Sequence, residues 1–308
     1  MQPIRAAAVV NPVSGNGSTG RSWPAIAAAM KQEGIDFEFR FTGEPGEATA
    51  ITRDFLERGH DLIISVGGDG TVNEVVNGFF QNEGAAGDTA SLGIISSGTG
   101  RDLARTLGTP LNFAEAARRI YRTPSFPVDV GKVKFTGNSG EQEIRYFLNV
   151  AGMGLDGDIV ARVNNTSKAL GGFVSFLWGT VVSLCRYQNK KMKITVDGTE
   201  ICNEPVTFIA VANGCYFGGG MFIAPHAKMD DGWFDIIIAR NLSKGNLLLN
   251  LPRVYKGTHL DHPLITSLRG REIIVQSDVR PLLNLDGEQP GCAPAGMAIQ
   301  LQAMKLRA

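Results

Sequence analysis

Apolar runs alternate with amphipathic stretches along the first 130 residues of the chain. This pattern predicts strands at 5–12, 36–42, 61–68 and 90–98, and helices at 22–34, 46–59, 71–81 and 101–108. The strand at 61–68, with sequence DLIISVGG, is a continuous apolar run, which is typical of a parallel sheet covered by helices on both faces. We therefore expect an α/β fold whose N-terminal domain, residues 1–128, is a doubly wound parallel sheet.

The pattern changes after about residue 128. Short strands separated by turn residues are predicted at 126–137, 141–152, 190–201, 204–214, 233–241 and 271–278. Such spacing predicts a C-terminal antiparallel β-sandwich domain over 129–297, with the extreme C-terminus, about 298–308, packing back onto the first domain. A helical stretch at about 160–187 interrupts the strands. Its uncharged part, 169–185, contains glycines and is shorter than the ~20 apolar residues of a membrane span, so a buried or groove-forming helix is expected.

Charge and cysteine content narrow the class of protein. Among the 308 residues, 30 basic side chains balance 30 acidic ones, which argues against an extended nucleic-acid surface. The four cysteines form no C-x-x-C pair, which favours a reduced, intracellular protein. The opening MQPIRAAAVV lacks the long apolar region of a signal peptide. A cytoplasmic protein is expected.

The stretch VVNPVSGNGSTGRSWP, residues 9–24, fits three nucleotide-binding patterns. Its glycines match the dinucleotide pattern G-x-G-x-x-G, and Asp36 or Glu38 follows about where a ribose-binding acid stands. It also matches a P-loop, but with Arg21 in place of the lysine, and arginine does not replace a compact ammonium group there. The third pattern is Asn-Pro-x-Ser-Gly at 11–15. The stretch alone does not separate the three.

Two further turns combine glycine with threonine and aspartate. The sequence SVGGDGTVNEVVNG, 65–78, follows one predicted strand, and SSGTGRDLAR, 96–105, follows the next. Each places backbone N–H groups at the start of a helix, which is an arrangement that binds phosphate. The carboxyl ends of adjacent parallel strands form one ligand-binding edge, so both turns are expected to face one cleft.

The motifs NPVSG, VGGDGTVNEVVNG, SSGTGRDLAR, PVDVG, GGGMFIAPHAKMDDGWFDI and LDGE occur in the order found in one kinase family. Over roughly residues 8–288 the chain resembles the bacterial diacylglycerol kinase-like lipid kinases, which are related to sphingosine and ceramide kinases and distantly to NAD kinases. The resemblance favours the Asn-Pro-x-Ser-Gly interpretation of residues 9–24. The dinucleotide alternative explains neither residues 67–102 nor LDGE.

The resemblance implies a nucleotide site and a catalytic magnesium ion. The implied nucleotide-binding residues are Asn11, Thr42, Gly67, Gly68, Asp69, Gly70, Thr71, Asn73, Glu74 and Thr99. It also implies that Asp69, Asp102 and Asp129 organise Mg²⁺ and its waters, and carboxylates with water are what this ion prefers. One residue departs from the family pattern, because Arg101 replaces an asparagine. An arginine there adds a bidentate phosphate contact or displaces a nucleotide contact.

The resemblance also implies two functional turns in the second domain. The catalytic base belongs to LDGE, with Glu288 the first choice and Asp286 the second, although Asp-Gly also favours an ordinary hairpin. A structural Mg²⁺ site is implied at AKMDDGWFD, with a carboxylate ligand from Asp231 and carbonyl ligands from Lys228 and Trp233. The same residues also suit a simple turn.

The cluster GTHLDHP contains His259, Asp261 and His262, but no further protein ligand that would complete a zinc site is evident in the sequence. We expect a surface loop there.

The expected function is transfer of the γ-phosphoryl group of ATP, with Mg²⁺, to a hydroxyl group of a lipid such as diacylglycerol. The uncharged stretch 169–185 favours a lipid, because an acyl chain needs an apolar groove or membrane contact. The lipid is expected to be presented at a membrane surface during transient peripheral contact, no nucleic-acid partner is expected, and a homodimer stays open. Two alternatives are an NAD-kinase-like enzyme with a soluble acceptor and a non-catalytic nucleotide-binding module.

Overall fold

A computed structural model describes residues 4–81, 84–85, 90–165 and 187–308 of the chain. The chain divides into two compact units. The first contains Met1–Asp129 together with Leu301–Ala308, and the second contains Val130–Gln300. The C-terminal residues of the chain thus belong to the first unit.

The first unit is built on a parallel sheet. Its strands are β1 (Ala6–Val10), β2 (Phe37–Phe41), β3 (Leu62–Gly67), β6 (Ser91–Ser96) and the last residues of β16 (Glu288–Arg307). They lie in the order β2–β1–β3–β6–β16, and the pairing of Lys305 with Ser91 joins the C-terminal strand to the sheet in parallel. A short hairpin, β4 (Phe80–Gln81) with β5 (Gly84–Ala85), lies outside this sheet.

Helices cover both faces of this sheet. They are α1 (Ser18–Gln32), α2 (Glu47–Glu57), α3 (Asp69–Gly78), α4 (Asp102–Leu107) and α5 (Phe113–Arg122). Ile26 and Met30 of α1 and Ile120 of α5 share a fully buried cluster with alternate residues of β1 and β3. The intervening strand residues face α2 and α3, which pack against each other. The predicted doubly wound parallel sheet is confirmed.

The helices of the first unit differ from the prediction in two places. Helix α1 begins at Ser18, four residues before the predicted start at 22. The preceding residue, Gly17, has a left-handed backbone conformation and marks the end of the loop. Helix α5 was not predicted. The side chain of Asn112 caps it by accepting hydrogen bonds from the N–H groups of Ala114 and Glu115.

The second unit is dominated by antiparallel strands. They are β7 (Phe126–Gly137), which begins in the first unit, β8 (Gln142–Phe147), β9 (Val150–Gly154), β10 (Lys190–Val196), β11 (Thr199–Ala212), β12 (Phe234–Arg240), β13 (Ile265–Gly270), β14 (Glu272–Gln276), β15 (Leu282–Leu285) and the first part of β16. Strands β13–β12–β11–β10–β14–β16 lie side by side, β9 pairs with β11 and β15, and β7 pairs with β8. The predicted antiparallel domain is confirmed.

The structure corrects several details of the second unit. The stretch 141–152 contains two strands, β8 and β9, because the chain turns at Leu148 and Asn149. Helix α6 (Leu155–Asn165) begins before the predicted helix at about 160–187, whose remainder, including 169–185, lies mostly outside the described residues. Helix α7 (Lys244–Lys256) and strand β13 were not predicted. In the described parts of the chain, no helix is both long and apolar enough to span a membrane.

Candidate active site

The two glycine-threonine turns of the first unit lie against each other. A Cβ atom built on Gly98 would lie 2.5 Å from Cα of Gly68, so a side chain at position 98 would force the turns apart. The N–H groups of Ser97 and Gly98 both donate to the carbonyl oxygen of Gly67, at 2.9 and 3.2 Å. Glycine is therefore required here by the close approach of two backbones.

The Asn-Pro-x-Ser-Gly loop joins this arrangement. Asn11 donates from Nδ2 to Oγ1 of Thr71, at 3.1 Å, and its Oδ1 accepts the N–H groups of Val13 and Ser14. The loop is thus tied to the first residues of α3. Three loops, each following a parallel strand, meet at one edge of the sheet.

Asp69 connects the two glycine-rich turns. Its Oδ1 accepts the N–H of Leu103 at 3.2 Å, and its Oδ2 accepts the N–H of Asp102 at 3.3 Å. Burial raises the pKa of the Asp69 carboxyl, against the opposing effect of the N–H groups of residues 101–103. These three N–H groups do not use every acceptor site of the two carboxylate oxygens, so a further ligand can still bind.

Asp102 is the first residue of α4 and is buried. Its Oδ1 accepts a hydrogen bond from Nη1 of Arg105 at 2.9 Å. A Cβ atom built on Gly100 would lie 2.6 Å from Oδ2 of Asp69 and 3.8 Å from Oδ2 of Asp102, so both carboxylates border the same glycine. The structure brings these two predicted acids together.

Arg101, the residue that departs from the family pattern, has φ of 59° and ψ of 32°. Asparagine tolerates this left-handed region better than most residues, which accounts physically for an asparagine at this position. The Nε of Arg101 donates to the carbonyl oxygen of Gly98 at 2.8 Å. The guanidinium group therefore folds back onto its own turn.

Asp129 has different surroundings. Its side chain is 1% exposed, and its Oδ1 accepts the N–H of Gln302 at 2.7 Å. It thereby anchors the C-terminal strand within the first unit. Within the described ranges, no three histidine, cysteine, aspartate or glutamate side chains are grouped so that they could share a metal ion. The structure does not show the predicted acidic triad as a cluster.

The other predicted nucleotide residues have distinct environments. Thr42 and Asn73 are buried, whereas Thr99 is exposed on the second turn. The carboxylate of Glu74 accepts the N–H groups of Gly46, at 2.9 Å, and Ala48, at 3.1 Å. Glu74 thus satisfies amide groups at the N-terminus of α2, which favours a structural role for its side chain.

The LDGE sequence forms a tight hairpin between β15 and β16. Asp286 and Gly287 have φ of 49° and 95°, and Leu285 pairs with Glu288. Positive φ at both central residues is the requirement of a type I′ turn, which Asp-Gly satisfies. Glu288 is partly exposed at the first position of β16.

The carboxylate of Asp286 anchors this hairpin to the start of β9. Its oxygens accept three backbone N–H groups, from Leu148 at 3.0 Å, Asn149 at 3.1 Å and Val150 at 2.9 Å. Breaking these bonds would leave buried donors unsatisfied, at a cost of about 1–3 kcal/mol for each group. Asp286 is therefore built into the fold of the turn.

At the turn predicted to hold a structural Mg²⁺, the side chain of Asp231 is paired with an arginine. Oδ1 of Asp231 accepts the N–H of Trp233 at 3.1 Å, and Oδ2 forms an ion pair with Nη2 of Arg269. The neighbouring Asp235 is buried, and its Oδ2 accepts no hydrogen bond, with Nε of Arg269 at 3.9 Å. Arg269 had no signal in the local sequence, because it lies on β13, 38 residues further along the chain.

The histidine cluster differs from the expected surface loop. His259 is fully buried, and its Nε2 lies 3.0 Å from the carbonyl oxygen of Ile223. Desolvation lowers the pKa of His259, against a smaller opposing effect of that hydrogen bond. Asp261 is exposed, so the loop has one buried end and one exposed end.

The geometry defines an α/β unit with two adjoining glycine-rich turns, joined in sequence to an antiparallel unit with an acidic turn anchored by Asp286. The diacylglycerol kinase catalytic domain matches residues 5–133, and the YegS C-terminal NAD kinase beta sandwich-like domain matches residues 149–308. The chain belongs to the diacylglycerol kinase family that these two domains define. It is a kinase, a phosphotransferase with an alcohol group as acceptor.

Individual proteins support this assignment. A diacylglycerol kinase of Staphylococcus carnosus (strain TM300) is 28% identical over 94% of this chain and 90% of its own length. A Bacillus anthracis (strain Sterne) protein provisionally named a diacylglycerol kinase has a crystal structure with a TM-score of 0.78 and 29% identity, covering 98% and 94% of the two chains. An NAD kinase of Archaeoglobus fulgidus shares the fold, with a TM-score of 0.50 and 15% identity over 98% and 92%.

Proposed function

We propose that this protein transfers the γ-phosphoryl group of ATP to a hydroxyl group of a lipid of the diacylglycerol class. The observation that supports the proposal best is the contact between the turns at Gly68 and Gly98, bridged by Asp69. Phosphoryl transfer depends mainly on positioning and on neutralising charge on the phosphate oxygens. Two adjoining glycine-rich turns with their N–H groups at helix starts suit that task.

Asp69 and Asp102 fit a magnesium site. Mg²⁺ in kinases is usually held by one or two carboxylates together with substrate phosphates and water. Both carboxylates border Gly100, and each oxygen of Asp69 accepts only one of the two N–H groups from Asp102 and Leu103. A bound Mg²⁺ would neutralise charge on the transferred phosphoryl group. Asp129, buried and bonded to Gln302, would support this site without contacting the ion.

Glu288 is the proposed general base. Asp286 uses both carboxylate oxygens to hold residues 148–150, whereas Glu288 is partly exposed beside it on the same hairpin. In this scheme Asp286 fixes the turn and Glu288 acts as the base. Glu288 takes the proton from the acceptor hydroxyl while the oxygen of that hydroxyl attacks the γ-phosphorus. The hydroxyl oxygen gains the phosphoryl group, and ADP leaves.

The lipid class is supported by relatives that are named diacylglycerol kinases and by the uncharged sequence at 169–185. Peripheral contact with a membrane would present such a substrate. An NAD-kinase-like reaction with a soluble acceptor is the alternative, and the shared fold is its support.

One experiment separates these possibilities. Purified protein is incubated with radiolabelled ATP, Mg²⁺ and either diacylglycerol micelles, a total lipid extract or NAD. We expect label in a lipid product only. Label in NADP alone, or in no product, would overturn the proposal.

The base is tested in the same assay with Glu288→Gln, which keeps shape and hydrogen bonding but removes basicity. We expect kcat to fall about 10²–10⁴-fold, with little change in the KM for ATP. The acidic limb of the wild-type pH profile should disappear in the variant. A variant with near-normal kcat would remove Glu288 from the mechanism.

A further inference from the structure

The start of helix α6 lies directly against strand β15, which leads into the LDGE hairpin. A Cβ atom on Gly157 would lie 2.2 Å from the carbonyl oxygen of Leu282, so only glycine permits this approach. On β9, a Cβ atom on Gly152 would lie 1.8 Å from Oδ2 of Asp156. These two glycines make room for the side chain of Asp156 above the paired strands β9 and β15.

In that space Asp156 meets Asn284. Oδ2 of Asp156 accepts a hydrogen bond from Nδ2 of Asn284 at 3.4 Å, and the two residues are 8% and 5% exposed. Oδ1 of Asn284 in turn accepts the N–H of Gly287 at 3.0 Å. The amide group of Asn284 therefore connects the buried carboxyl group of Asp156 with the N–H of Gly287, the residue between Asp286 and Glu288.

We propose that Asp156 and Asn284 are a positioning pair, in which the acid fixes the asparagine amide so that it holds the Gly287 N–H and hence the direction of Glu288. The proposal rests on the proposed function, because Glu288 matters only if it acts as the base. Neither residue contacts substrate in this scheme. They act through the backbone of the turn.

The chemistry of the site agrees with this role. Without the oxygen of Asp156, the Nδ2 group of Asn284 would be a buried donor without that acceptor, and the amide could turn away from Gly287. Desolvation raises the pKa of Asp156 to about 7, with a smaller contribution from the nearby Asp158. A large share of the acid is thus neutral near pH 7. A neutral amide of the same shape should replace it.

The test uses four variants and one control variant, all assayed for kcat and for the KM of ATP. Asp156→Leu and Asn284→Ala should each lower kcat by about tenfold with the KM within about twofold, because only the geometry of the base changes. The double variant should be no slower than the slower single variant, since both act through one connection. Asp156→Asn should restore kcat to within about threefold of wild type. Thr207→Val, which removes a buried hydrogen-bonding hydroxyl elsewhere in the unit, is the control for general destabilisation.

A wild-type kcat in Asp156→Leu, effects that multiply in the double variant, or an Asp156→Asn variant as slow as the leucine variant would each overturn the pair. If Asp156→Leu does not fold, Asn284→Ala and Asp156→Asn still decide the question. Hydrogen exchange of the Gly287 N–H separates failure of the pair from failure of the proposed function. Exchange should be faster in Asn284→Ala than in Thr207→Val, even if the wild type phosphorylates no lipid. Equal exchange in the two would also overturn the proposal.

Discussion

The buried carboxyl group of Asp156 predicts that the folded protein loses stability as the pH rises. Its pKa is raised from 3.8 to about 7, chiefly by desolvation. Below about pH 3.8 the folded and unfolded chains both hold the proton. Between about 3.8 and 7 only the unfolded chain releases it, so folding becomes steadily less favourable. Above about pH 7 both states are ionised and the penalty is constant.

The magnitude follows from the two pKa values. The pKa of Asp156 in the folded chain lies about 3 above its value in the unfolded chain, and one pKa unit corresponds to about 1.4 kcal/mol. Folding therefore carries a penalty of about 4 kcal/mol at pH 8. At pH 5 the penalty is only about 1.5 kcal/mol. Asp156→Asn cannot ionise, so relative to wild type it should gain about 2.5 kcal/mol of unfolding free energy between these pH values. At roughly 2–4 °C per kcal/mol, the difference in Tm should change by about 5–10 °C.

The measurement is the Tm of wild type and Asp156→Asn at pH 5 and pH 8 in matched ionic strength. The variant should gain on wild type as the pH rises. The titratable neighbours Asp158 and Tyr187 are present in both proteins, so the difference isolates Asp156. Thr207→Val changes no ionisable group, and its Tm offset from wild type should be equal at both pH values. A pH-independent offset for Asp156→Asn would show that the pKa of Asp156 is not raised in the folded protein.

Three further predictions concern the other carboxylates. Asp102→Asn should lower kcat by orders of magnitude because the carboxylate charge is lost, whereas the Tm should stay unchanged because the amide oxygen still accepts the hydrogen bond from Arg105. Kinetics and thermal melts of the same samples check this. Asp231→Ala should abolish any rise in Tm that Mg²⁺ gives the nucleotide-free wild type, and a wild type without such a rise would contradict a metal site at this turn. Asp286→Asn should lower both Tm and kcat, whereas Asp197→Asn should lower Tm alone; equal kcat losses in the two would contradict a role for the LDGE turn.

Much of the first unit could be predicted from the sequence, because strands buried on both faces leave continuous apolar runs. Helix α5 also left a signal: Asn112 is a capping residue, and buried or partly buried positions follow at 113, 116, 117 and 120. This is the i, i+3, i+4, i+7 spacing of an amphipathic helix. Helix α7 left a weaker signal. Ser243 caps it, and Leu247, Leu251 and Val254 follow helical spacing, but none of its residues is fully buried and Pro252 lies inside it. A proline within a helical pattern ordinarily indicates that the helix ends, which obscures this one.

The candidate site was predictable to the level of motifs but not of roles. The glycine-rich turns can be identified from the sequence because a backbone that approaches another backbone closely needs glycine. This holds wherever in the sequence the partner turn lies. The role of Asp286 depends on N–H groups 136–138 residues away, and that of Asp156 on Asn284, 128 residues away. A side chain's partner across the fold has no local spacing signature. The order of the motifs therefore identifies LDGE but does not show that Asp286 anchors the turn while Glu288 is partly exposed.

The second unit contains another Asp-Gly hairpin with which the LDGE turn can be compared. Asp197-Gly198 and Asp286-Gly287 are both hairpin turns with positive φ, 47° and 79° in the first and 49° and 95° in the second. Asp197 also uses its carboxylate to accept neighbouring backbone N–H groups, those of Arg271 and Glu272. Anchoring a turn by an aspartate is thus a general device in this unit, not a mark of catalysis. What distinguishes the second hairpin is the glutamate that follows it and the Asp156–Asn284 connection beneath it, and catalysis should depend on these additions.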